Sequence, residues 1–166
     1  VLELLQQFAL YAPLIIFIGA VFDIFFVTGL LLYGAAMISS IFTLYATGMI
    51  GVEGIIISAY LGTVLGNTIN YWSGRLFAET RLVQKRLAHP KIATAKIFLQ
   101  SKGLFLYIGI LRFIAISRPL YALVLGSMKI SFYRFFMYES LVAFVWVVFW
   151  LFIIVQGKTL YLHLFT

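Results

Sequence analysis

The sequence predicts an all-α membrane protein. Two opposed re-entrant helical hairpins and transmembrane helices form a pseudo-inverted repeat, with a basic amphipathic helix on the cytoplasmic side. Three observations predict this class. Of 166 residues, 64% are hydrophobic and 10% charged, against roughly 25% charged in soluble domains, and the mean hydropathy is +1.09. A broken apolar stretch followed by a continuous one occurs twice. The second broken stretch also carries Arg112 and Arg118 at a depth where charge is costly, about 3 kcal/mol or more per arginine. One membrane domain over residues 1–166 is expected.

The net charge of +7 comes from 12 basic and 5 acidic residues. In a soluble chain it would suggest nucleic acid; in a membrane chain it orients loops and meets lipid headgroups, so no nucleic-acid partner is expected. The chain lacks cysteine, which excludes disulfides, and no HExxH or CxxC pattern suggests a metal. No cofactor is expected. The start shows no basic flank or cleavage site of a signal peptide. Oligomeric state is not legible, and a homo-oligomer is left open.

Residues 2–22 reach the length of a span, about 20 residues, before Asp23 interrupts them. Residues 24–48 are apolar but studded with Thr28, Gly29, Gly34, Ser39, Ser40, Thr43, Thr47 and Gly48. They read as a first re-entrant hairpin turning near Ser39 and Ser40. Glu53 opens a helix running to about Tyr71. Along it Gly54, Ser58, Gly62, Gly66, Asn70 and Gly74 recur every four positions, the pattern of a closely packed membrane helix. Asn67 and Asn70 are amides in an apolar setting and need another helix or a cavity to face.

Residues 73–102 set Arg75, Arg81, Lys85, Arg86, Lys91, Lys96 and Lys102 against Glu79 alone. Leu82, Val83, Leu87, Ile92, Ala95 and Leu99 recur at helical spacing, so a basic amphipathic helix broken at His89-Pro90 is expected on the membrane surface. The lysine and arginine excess places residues 76–102 in the cytoplasm. His89 and His163 read as solvated residues, not ligands.

Residues 104–126 hold the two arginines too deep for easy snorkelling. Pro119 removes a backbone donor and disfavours helix just before it, predicting a break at about Ser117. The turn 127–134 is again basic, with Lys129 and Arg134. Two cytoplasmic flanks require residues 104–126 to enter and leave on one side. A last span covers about residues 135–155, with Glu139, Trp146 and Trp150, before a short tail.

Gly62-x-x-x-Gly66-Asn67-x-x-x-Tyr71-x-x-Gly74-Arg75 resembles the central motif of the DedA family, also called the SNARE-associated or VTT-domain family. Gly103, Arg112-Phe113-Ile114, Arg118, Gly126, Tyr133-Arg134-Phe135-Phe136 and Trp146 follow the family's order. The resemblance covers roughly residues 20–156. It implies two opposed re-entrant hairpins and movement of lipids, polyprenyl phosphates or phospholipids, with proton coupling proposed in bacteria. Departures are Ala115 and Ala122 where the family has proline, Pro119 standing instead, and Phe25, Phe26 and Val27 in place of Pro-Gly-acid. Asp23 lies close to the missing acid, and Asn67 stands where aspartate is frequent.

These residues point to a lipid transporter, flippase or scramblase, in the bacterial cytoplasmic membrane. Arg112 and Arg118, with Asn67 and Asn70, would bind the phosphate headgroup through charge-assisted hydrogen bonds. Asp23, Glu53 and Glu139 would balance the arginines or carry a proton. Arg75 would meet interfacial phosphates, and Gly62, Gly66, Gly74 and Pro119 would shape the fold. The alternatives are a non-transporting scaffold or assembly factor, and an anion-favouring channel. An enzyme is not expected: Arg118-Pro119 partly matches a phosphatase signature, but Leu111 stands where its lysine belongs and no Pro-Ser-Gly-His occurs.

Overall fold

A computed structural model describes residues 2–25, 34–81, 90–114 and 120–165. The described residues form six α-helices and no strand. They are α1 (Leu2–Ile24), α2 (Gly34–Ala46), α3 (Val52–Leu76), α4 (Pro90–Phe113), α5 (Tyr121–Ser127) and α6 (Phe132–Phe165). Among the described residues, two segments are long and apolar enough to cross a membrane, Val52–Leu76 with 25 residues and Phe132–Gly157 with 26. The outward faces of these helices carry Leu61, Leu65, Phe144, Val148 and Phe152, all exposed. A soluble monomer rarely leaves so much contiguous apolar surface uncovered, whereas lipid covers it without cost.

Helix α3 is the axis of the bundle and packs against α1, α5 and α6. One core joins α1, α2, α3 and α6 through Ile16, Ile41, Ile55, Val147 and Leu151. The other joins α3, α4, α5 and α6 through Tyr71, Ile108, Tyr121, Leu125 and Phe135, with the rings of Tyr71 and Phe135 stacked at 4.6 Å.

The small residues of α3 face two different neighbours. A Cβ on Gly62 would stand 2.5 Å from the Phe17 carbonyl oxygen of α1, and one on Gly66 would stand 3.1 Å from that of Val21. Further along, a Cβ on Gly74 would collide with the Leu123 carbonyl of α5, and one on Gly126 of α5 would collide with the Tyr71 carbonyl of α3. The α3–α5 crossing is therefore backbone on backbone.

The first broken stretch departs from the sequence reading in the position of its turn. Ser39 and Ser40 do not turn; they lie inside the continuous helix α2. The Ser40 hydroxyl donates to the Ala36 carbonyl at 2.8 Å, and Thr43 donates to that of Ser39 at 2.9 Å. Hydroxyls satisfied one turn back leave the helix intact. The chain turns instead after α2, where Gly48 adopts φ 74° and the Met49 amide reaches back to the Leu44 carbonyl, a left-handed helix cap.

Of residues 73–102, the first part completes α3 to Leu76, and α4 starts at Pro90, where the sequence places a break, and runs into the apolar stretch, broken at Gly103 with φ 83° and ψ 163°. That conformation is open only to a residue without Cβ. Helix α4 ends at Phe113 and α5 starts at Tyr121. Ser117, Arg118 and Pro119 lie outside the described residues, as do Phe26, Val27, Thr28, Gly29, Leu82, Val83, Lys85, Arg86, Leu87 and His89.

At the end of α5, Lys129 takes the left-handed position (φ 56°) that glycine usually fills. Its ammonium meets the Glu79 carboxylate at 3.0 Å and holds that carboxyl below its usual range by hydrogen bond and charge.

The glycine contacts predict an order of stabilities. Gly74→Ala and Gly126→Ala should each lower stability by about 3 kcal/mol or more, because backbone has to move. Gly62→Ala should follow, and Gly66→Leu should be damaging where Gly66→Ala is milder. Gly109 meets nothing within 4 Å at its Cβ position, so Gly109→Ala should be neutral or gain up to about 1 kcal/mol. Thermal melting in detergent checks the order.

Candidate functional site

Four helices bring one side chain each to a single buried point. Helix α3 supplies Asn67, the last turn of α4 Arg112, the first residue of α5 Tyr121, and α6 Glu139. None is more than 1% exposed. Arg112 Nη1 lies 2.6 Å from Glu139 Oε1 and donates to the Tyr121 hydroxyl at 3.0 Å. Asn67 Nδ2 makes the parallel pair, donating to Glu139 Oε1 at 2.7 Å and to the Tyr121 hydroxyl at 2.8 Å. The Tyr121 hydroxyl donates its own proton to Glu139 Oε2 at 2.6 Å. The carboxylate thus accepts three hydrogen bonds, one from each of the other three side chains. The Trp146 ring lies over the guanidinium at 5.4 Å, adding a cation–π contact in a desolvated setting.

The local sequence explains this convergence. Arg112 sits at a helix C-terminus, where the helix dipole favours a cation. Glu139 and Trp146 are seven residues apart on α6 and share one face. Tyr121 reaches the point because α5 starts there and is pressed onto α3 through the Gly74–Gly126 crossing.

Part of the cluster is left unsatisfied. Arg112 Nε and Nη2 and Asn67 Oδ1 are buried and have no hydrogen-bond partner among the described residues. The network orients the Asn67 amide, since only its NH2 end can face a carboxylate oxygen. The orphans are therefore two donors on one edge of the guanidinium and one acceptor on Asn67.

The other candidate residues are placed separately. Asp23 is 4% exposed near the end of α1 and lines a cavity of about 30 Å³ together with Thr63, Trp146 and Trp150. Trp146 thus borders both the cavity and Arg112. Asn70 turns away from the cluster and donates to the Ile24 carbonyl at 2.7 Å, holding the end of α1. Glu53 is exposed on the first turn of α3, roughly 20 Å along the helix from Asn67. Arg75 donates to the Tyr71 hydroxyl at 2.9 Å and lies over Trp72 at 5.8 Å, while Tyr71 donates to the Ile130 carbonyl. It fastens α3 to the turn after α5.

Sequence reasoning missed Tyr121 as a site residue and took Trp146 only as part of a span. The available signal for Tyr121 was a phenol deep in an apolar stretch, which needs a partner for its hydroxyl when buried.

Removing either charge of the Arg112–Glu139 pair strands the other in a dry site. Arg112→Met and Glu139→Leu should each cost about 3–5 kcal/mol. The double variant should cost clearly less than the two singles together, because neither charge then remains. A double-mutant cycle of detergent-unfolding midpoints measures the coupling.

A family profile described as VTT domain matches residues 10–156. No curated protein and no solved structure matches the chain. With most of its length matched and its apolar helices as described, the chain belongs to the VTT-domain family, the DedA or SNARE-associated family of membrane proteins linked to transport or other membrane functions.

Proposed function

We propose that the chain is a non-enzymatic lipid transporter, a flippase or scramblase that moves a phosphate-bearing lipid across the bacterial cytoplasmic membrane. One observation carries this reading. Arg112 is buried in a membrane protein with its Nε–Nη2 edge unpaired among the described residues. That edge is the planar fork that grips phosphate or carboxylate oxygens in pairs. An arginine kept only for packing would have its donors filled. The same geometry disfavours the scaffold reading, since Arg112 takes its counter-charge from Glu139 of its own chain. Glu139 is also the group on which a proton would couple to the cycle, and Arg118 would supply a second cation.

The hairpin architecture belongs to this proposal. Residues 103–113 rise roughly 16 Å and α5 roughly 10 Å, far short of an apolar core of about 30 Å. The Glu79–Lys129 pair ties the residues after α3 to those after α5. Both supports favour a segment that enters and leaves on one side, with α2 as part of the opposed hairpin. Broken segments meeting near the midplane in inverted repeats are a transporter design. Lysine and arginine excess puts the Glu79–Lys129 side in the cytoplasm.

Topology is testable on the cysteine-free chain. Cysteines introduced as Ser101→Cys and Ser131→Cys should both react with an impermeant thiol reagent from the cytoplasmic side. Labelling from opposite sides would mean that the segment between them crosses the membrane.

The arginines are tested in vesicles. Arg112→Lys and Arg118→Lys keep the charge but lose the fork, so both should melt within a few degrees of wild type yet translocate lipid at least about tenfold more slowly. Arg118→Ala should lose translocation and any co-purified anionic lipid. Well-folded lysine variants translocating at the wild-type rate would end the lipid-phosphate reading.

A further inference from the structure

We infer that the groove between α3 and α6 holds one resident anionic phospholipid, with an acyl chain along the groove and the phosphate at its basic end. This site is separate from the buried cluster, since none of Asn67, Arg112, Tyr121 and Glu139 lines the groove. The walls are residues 56–61 of α3 and 133–145 of α6, almost all apolar. The volume is about 770 Å³, inside the range of ligand sites, roughly 300–1,000 Å³. From Tyr133 to Val145 the helix rises roughly 18 Å, close to half of an apolar core of about 30 Å. The groove therefore matches one acyl chain within one leaflet.

The residues at one end select the headgroup. Arg75 lies over the Trp72 ring at 5.8 Å, Trp72 lies 5.5 Å from Phe132, and Phe132 lies 5.7 Å from Phe136, which lines the groove. An aromatic row thus leads from the groove to Arg75. Arg134 is exposed and stands seven residues before Leu141, so it shares that residue's face of α6. Neither arginine is paired with an acid among the described residues, because Glu79 meets Lys129 and Glu139 meets Arg112. Arg75 uses Nη1 on the Tyr71 hydroxyl and the Ile130 carbonyl. No described residue accepts a hydrogen bond from its Nε or Nη2, and that edge can grip a phosphate. Tryptophan and tyrosine beside cations settle at headgroup level. An apolar groove with two unneutralised guanidinium groups at one end is complementary to an anionic lipid. A second copy docked here about a two-fold axis along the membrane normal would bring the same cations together instead.

The test is native mass spectrometry of the full chain in detergent, titrated separately with phosphatidylglycerol and phosphatidylcholine carrying the same palmitoyl and oleoyl tails. One phosphatidylglycerol should be retained, at least about tenfold in preference to phosphatidylcholine. Arg134→Gln changes an exposed side chain with no described partner, so it should fold as the wild type does and cut that preference at least about threefold. Arg75→Gln should cut it too, but also loses the bond to Tyr71, which makes Arg134→Gln the cleaner variant. Met137→Trp fills the groove, leaves both arginines in place and should lower retention of either lipid. Arg112→Lys should leave retention unchanged. Equal retention of the two lipids, or a preference unaltered by Arg134→Gln, would overturn the inference. A lipid lost in Arg112→Lys but kept in Arg134→Gln and Met137→Trp would belong to the buried cluster, overturning the groove site while supporting the transport reading. A lipid-free dimer that Met137→Trp dissociates would give the groove to a second copy and overturn the inference as well.

Discussion

A guanidinium removed from water needs a carboxylate within hydrogen-bond reach, and in this protein that requirement organises four helices. Arg112 is near the end of α4 and Glu139 near the start of α6, with α5 between them in sequence. Their contact at 2.6 Å closes the segment between them into a loop. Tyr121 and Asn67 then satisfy the carboxylate that Arg112 cannot satisfy alone. Each member would be costly if stranded, so the cluster holds together as a unit.

Such a point of convergence is possible only if the helices come close, and backbone volume is the limit. The Gly74–Gly126 crossing lets α5 lie directly on α3, which carries Tyr121 to Asn67 four residues before Tyr71. On the other side, Gly62 and Gly66 admit α1 and with it Asp23. In lipid there is no hydrophobic drive between helices, so close backbone contact and shared hydrogen bonds carry the association. The one helix stripe therefore serves two interfaces, and the polar cluster sits where they meet.

The cluster holds one carboxylate. Asn67 stands where the family resemblance often has an aspartate. The carboxylate beside it is that of Glu139 on α6, 2.7 Å from the Asn67 amide. The pair Asn67–Glu139 thus keeps one acid beside Arg112 while adding an amide oxygen that no described residue uses. Aspartate at 67 together with Glu139 would place two carboxylates beside one described arginine.

Composition and hydropathy alone determined that this is an all-helical membrane chain, because the solvent around a helix dictates its residues. The motifs around Gly62 and Arg112 determined the family, and a charge in an apolar stretch marked Arg112 as a candidate. Which acid meets that arginine was not legible: Asp23, Glu53 and Glu139 are equivalent in sequence, and only packing separates them. Glu53 is left exposed, Asp23 faces a separate cavity, and Glu139 reaches the guanidinium. Turn positions were misread for a related reason. Ser39 and Ser40 look like breakers, yet both lie inside α2, where the Ser40 hydroxyl is satisfied one turn back, whereas Gly103 bends α4 through a backbone angle that composition does not reveal. The roles of Asn67 and Asn70 also diverged only in three dimensions. Three residues apart on one helix, they are rotated far enough that one meets the charge cluster and the other holds the end of α1.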